Sequence, residues 1–138
     1  MRILLATLSL SACTTADPDE PRCSGDVYAP GMIATGAAGA AITLMAADPA
    51  PPARFINTWT IVATDAAGAT LPASAVAVTT FMPEHGHGGR PVTVTAGTDP
   101  TLLVTPIDLW MPGRWEVTFA ISATGGVDRA RFSFCIEE

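Results

Sequence analysis

The chain predicts an all-β protein: an immunoglobulin-like antiparallel β-sandwich of seven to eight strands. Three observations carry this. Two stretches, "RFINTWTIVAT" and "RWEVTFAISA", alternate side-chain character at period two. Shorter apolar runs recur at spacings of about 8–12 residues, divided by turns rich in glycine and proline. No long segment keeps a helical period.

The elements follow in order. "GMIATG" is a weak first strand, and "AAITLMAA", Ala40 to Ala47, is the second. An alanine-rich helix over Ala34 to Ala47 competes, but Gly36 and Gly39 argue against it. "DPAPPA" then breaks the chain with three prolines. From Arg54 to Thr64, Phe55, Asn57, Trp59 and Ile61 share one face, and Ile56, Thr58, Thr60 and Val62 the other. "DAAGATLPAS" is a turn and loop, and Ala75 to Met82 is the next strand. "PVTVTAG" follows, then Thr101 to Leu109, in which Pro106 predicts an edge or a bulge. Arg114 to Ala123 puts Trp115, Val117, Phe119 and Ile121 on its apolar face. "GGV" turns the chain into a last strand, Asp128 to Glu137. Three tryptophans, five phenylalanines and many valines are enough to fill such a core.

Residues 1–12 read as a lipoprotein signal peptide and lie ahead of the fold. Met1-Arg2 is a short positive start, and Ile3 to Leu10 is an apolar run too short to span a bilayer. Leu10-Ser11-Ala12-Cys13 resembles the bacterial lipobox, a signal in which the cysteine is lipidated and cleavage precedes it. Lipidation of Cys13 would give stable anchoring, because several acyl chains hold where one is marginal. Residues 13–22, with the acidic, proline-containing "TTADPDEPR", are expected to form a flexible tether to a domain at 23–138. The expected location is therefore extracytoplasmic, lipid-anchored to the cell envelope. Thr14 stands where an aspartate would retain many lipoproteins at the inner membrane, which favours the outer one.

With Cys13 assigned to lipid, Cys23 and Cys135 remain, and an oxidising compartment predicts that they pair. Closing so long a loop is worth about 4–5 kcal/mol in the chain-entropy model. Metal-binding thiolates are the alternative, although neither cysteine has a local ligand partner. The net charge of −6 argues against nucleic acid as a partner.

Most of the chemistry lies in "FMPEHGHGGRP", Phe81 to Pro91, which holds both histidines. If neighbouring strands run antiparallel, the chain leaves this end of the sandwich through "PVTVTAG" and returns to it at "WMPGR", Trp110 to Arg114. Met82, His85, His87 and Met111 are then expected as neighbours. Imidazole nitrogen suits copper, and thioether sulfur suits Cu(I). Zinc would need a further nitrogen, thiolate or carboxylate; Glu84 is the only local candidate and Asp108 lies further off. The competing reading is a glycine-rich turn that closes the fold or meets a cell-envelope protein, with the methionines as core residues.

"FMPEHGHGGRP", followed by "DLWMPGRWEVTFAI", resembles the YtkA-like domain, related to the FixH-type accessory proteins. The matching positions are Met82, Pro83, His85, Gly86, His87 and Gly88, then Met111, Gly113, Trp115 and Val117. "FINTWTIVATDAAG" extends the likeness, which covers about Arg54 to Ala123. The resemblance implies an immunoglobulin-like sandwich outside the cytoplasm and a role connected with copper. FixH-type proteins carry a transmembrane anchor, which this chain replaces with a signal and a lipid site.

Catalysis is not expected. No serine lies in a nucleophile elbow, paired carboxylates are not prominent, and "GHGG" lacks the lysine and following helix of a phosphate loop.

Overall fold

The computed structural model describes residues 23–138. The expected signal, the lipidation site Cys13 and the tether lie outside the described residues. The rest is an antiparallel two-sheet sandwich. Its nine strands are β1 (Met32–Thr35), β2 (Ala41–Asp48), β3 (Phe55–Thr64), β4 (Val76–Met82), β5 (His87–Gly88), β6 (Thr93–Ala96), β7 (Leu102–Leu109), β8 (Gly113–Ala123) and β9 (Gly126–Ile136). One sheet runs β1-β2-β3-β7-β6 and the other β5-β4-β8-β9. The strand beyond the expected eight is the two-residue β5, formed where the histidine segment folds back on β4.

Alternation sets the inner faces. Trp115, Val117, Phe119 and Ile121 of β8 are fully buried, as are Trp59, Ile61 and Ala63 of β3. Trp59 is the aromatic centre. It stacks on Phe119, with ring centroids 6.4 Å apart, and meets Phe132 and Phe134 edge-on at 6.2 and 5.6 Å. Such pairs add to the stabilisation from burial alone, by about 0.5–1.5 kcal/mol each.

The alternation of β3 breaks at its first residue. Phe55 was expected beside Asn57 and Trp59 on the inner face, yet it is 59% exposed with φ +74°. The cause is Asn57, buried two residues on. Its side-chain oxygen accepts the Ala53 N–H at 3.0 Å, and its amide donates to the Ala53 and Phe55 carbonyls at 2.7 and 2.9 Å. Folding residues 53–57 around that amide turns Phe55 outward.

Pro106 has the bulge but not the edge. β7 lies between β3 and β6, and the register shifts so that Thr105 and Pro106 together oppose Thr58. A bulge is where a proline is tolerated inside a sheet, because the missing N–H is not required there.

No helix forms over Ala34 to Ala47: a turn at 36–40 joins β1 to β2. Asp128 on β9 holds that turn, accepting the N–H groups of Ala38 at 3.0 Å and Ala40 at 3.1 Å. Burial alone would raise its carboxyl; the backbone N–H groups of Arg129, Ala38, Ala40 and Ala37 outweigh that and hold it below its ordinary value. Cys23 and Cys135 form a disulfide with Cα atoms 5.6 Å apart, so the chain's second and third cysteines are structural.

Candidate functional site

β4 ends at Met82, and the chain reverses through Pro83–Gly86 into β5. The Met82 carbonyl closes this turn, accepting the N–H groups of His85 at 3.2 Å and Gly86 at 2.9 Å. Gly86 has φ +68° and open space where a Cβ would be, so its role is conformational. Gly89 has the opposite role. A Cβ there would run into the Thr80 hydroxyl, and its N–H donates to the Thr80 carbonyl at 2.9 Å.

Met82 and His87 are direct partners across β4 and β5. Facing residues of an antiparallel pair project to the same side, so His87 follows Met82 towards the inner face. The two differ in depth. Met82 is fully buried, His87 is half-buried, and His85 is exposed at the tip of the turn. The two imidazole rings are 5.8 Å apart, tilted by 38°.

The loop after β7 forms the other wall. His87 stacks on Trp110 at 5.3 Å, with ring planes 17° apart, and meets Trp115 edge-on at 6.1 Å. The Trp115 indole N–H donates to the Met111 carbonyl at 2.9 Å, which fixes the backbone of the half-buried Met111. The Met82 methyl abuts Gly113, two residues beyond Met111. The sandwich thus brings the histidine turn and the Trp110–Pro112 loop together at one end, as the antiparallel reading of the sequence requires.

Both candidate carboxylates are engaged elsewhere. Glu84 accepts the Arg114 N–H at 3.2 Å and faces its guanidinium at 3.7 Å. Asp108, almost fully buried, pairs with Arg90 at 3.2 Å. Those two ion pairs tie the histidine hairpin to β8 and to β7. Among the described residues, no three histidine, cysteine or carboxylate side chains are disposed to hold a metal ion. A metal at this end would therefore draw on the thioethers as well as the imidazoles.

Trp110 escaped the sequence reading as a site residue. Its signal was an aromatic between Leu109 and Met111 in a segment expected to meet the histidines. Arg54 was also missed. Its Nε donates to the Trp110 carbonyl at 3.2 Å, and its guanidinium lies 5.0 Å from the centroid of the Phe55 ring. No family model, curated protein or solved structure matches the chain.

Proposed function

We propose that this protein is a lipid-anchored, extracytoplasmic β-sandwich that binds one copper ion at its histidine end, for delivery or sequestration. His85 and His87 supply nitrogen, and Met82 and Met111 supply soft sulfur. The observation that carries the reading is the pair of imidazoles 5.8 Å apart on a short turn, with Met82 as the strand partner of His87. Two imidazoles with thioethers suit Cu(I) among the common biological metals. His87 Nδ1 lies 3.3 Å from the Gly88 carbonyl. With the proton on that nitrogen, Nε2 is left to a metal, the usual arrangement of a ligating histidine. The resemblance to the YtkA-like domain supports the same reading. The Cys23–Cys135 disulfide is compatible with an oxidising compartment.

The test is a competition titration with Cu(I) and Cu(II), comparing the protein with a His85→Ala/His87→Ala double variant. One-to-one binding that the variant loses supports a copper site. No binding, or equal binding by both, removes copper from the account.

A second reading has its own support. Met82 is fully buried, and His87 already has a stacking partner in Trp110. These favour a metal-free module whose hairpin closes the sandwich and meets another envelope protein. A negative titration selects it.

A further inference from the structure

The disulfide fixes which end of the domain its N-terminal segment leaves from. Cys23 is bonded to Cys135, near the end of β9. Cys135 is the strand partner of Arg114, whose N–H is held by Glu84 in the histidine turn. The segment ahead of Cys23 therefore joins the fold at the histidine end. The opposite end, with the turn at Thr124–Gly125, is the length of β8 away.

Of the three exposed aromatics at that same end, Phe81 sits on β4 and the other two lie together. Phe55, 59% exposed, is the strand partner of Leu109, so it lies beside Trp110, 40% exposed. Arg54 ties the two together, its guanidinium at the Phe55 ring and its Nε on the Trp110 carbonyl. Phe55 has a backbone conformation that aromatic residues rarely adopt, and it presents the ring to the outside.

We propose that the histidine end of the sandwich rests on a lipid bilayer surface, with Trp110 and Phe55 at headgroup level. This inference depends on the lipid-anchor reading of Cys13. Ten residue steps separate Cys13 from Cys23, a reach of at most about 33–36 Å when fully extended. β8 alone has eleven residues, about 36 Å at roughly 3.3 Å each. Standing the sandwich upright on its far end would require the whole segment to run taut along the full sandwich. A slacker segment keeps the histidine end within that reach of the lipid and sets no such limit on the far end. Tryptophan and other amphipathic rings favour the bilayer–water boundary. The charges at this end are of both signs, Arg54, Arg90 and Arg114 against Glu84 and Asp108, with Asp26, Glu137 and Glu138 lining one cleft with Arg54. Zwitterionic lipid is therefore a sufficient surface, and contact is expected to vary little with salt. Val127, exposed near the far end, has no aromatic company in the turn beside it.

The experiment uses the full chain after processing, reconstituted in phosphatidylcholine vesicles with and without lipids brominated high on the acyl chain. Mass spectrometry of the Cys13 peptide reads the anchor independently. Trp59 and Trp115 are fully buried, so contact quenching reports Trp110. The expected result is an acylated chain whose emission falls in brominated vesicles. Trp110→Phe should abolish that fall, and Phe55→Ser should reduce it without altering the circular dichroism. An acylated chain with equal emission in both vesicles overturns the bilayer contact and leaves the anchor standing; a protein would then be what covers this end. A chain without acyl groups overturns the anchor, and the orientation with it.

Discussion

His87 lies face to face with Trp110, the planes 17° apart and the centroids separated by 5.3 Å. The stack joins a two-residue strand to a loop more than twenty positions later. It holds the second imidazole at one orientation beside His85. Replacing Trp110 with leucine should remove the indole ring current from His87. The carbon-bound ring protons of His87 would then move downfield in an NMR spectrum, with a smaller change for His85. Stability should fall by about 1–3 kcal/mol, because the indole also meets Trp115 edge-on at 6.5 Å and each aromatic pair is worth about 0.5–1.5 kcal/mol. Unchanged His87 shifts would mean that the stack is not populated in solution.

Met82 has two candidate roles, and two substitutions separate them. Met82→Ala leaves a cavity at a fully buried position and should cost about 2–5 kcal/mol in urea unfolding. Met82→Leu keeps the volume and should cost less than about 1.5 kcal/mol. The leucine variant therefore folds but lacks the sulfur. If Met82 is a ligand, Cu(I) affinity drops in Met82→Leu while the unfolding midpoint barely moves. Affinity equal to that of the unsubstituted protein would confine Met82 to the core.

Asn57 is the latch of the proline-rich loop. Substitution by alanine would strand the Ala53 N–H together with the Ala53 and Phe55 carbonyls that its side chain now serves. Ala53 and Phe55 are exposed to water, so each lost bond is worth about 0.5–1.5 kcal/mol. The expected outcome is a lower urea midpoint, with faster hydrogen exchange at residues 53–57 than elsewhere in β3. Uniform exchange changes along β3 would contradict a local latch.

Asp128 makes the far end sensitive to acid. Its carboxyl is held below the ordinary 3.8, so ionisation favours the folded state. That contribution is fully present above the unfolded value and disappears as pH falls through the lowered folded value. Asp128→Asn should therefore be less stable than the unsubstituted protein at neutral pH. The gap in melting temperature should hold down to about pH 5 and narrow below 3.8. A gap that stays constant to pH 2 would point to packing instead of charge.

The inner faces of β3 and β8 were legible because alternation is local and survives in the sequence. The meeting of the two loops was legible for a related reason: antiparallel strands return the chain to the same end. Phe55 was misread because its side of the sheet is decided by Asn57 bonding back to Ala53, a local fold that period-two counting does not contain. β5 was not legible either. Two residues carry no pattern, and their pairing depends on the turn that Gly86 and the Met82 carbonyl form together. The importance of Trp110 depended on a partner twenty-three residues earlier. An exposed tryptophan in a loop has many uses, and only the fold selects among them.

The staple at Cys135 also decides how the domain carries load. A pull on the chain ahead of Cys23 passes through the disulfide into β9, close to its end. From there it enters the ladder of eleven residue pairs between β9 and β8. Residues 24–31 and the short β1 are bypassed, although they come first along the chain. Reducing the bond would move the point of attachment to that leading segment, held to β9 by the Asp26–Ser133 hydrogen bonds and to β2 by the Tyr28 hydroxyl, and the same tug would then load the sandwich at its edge.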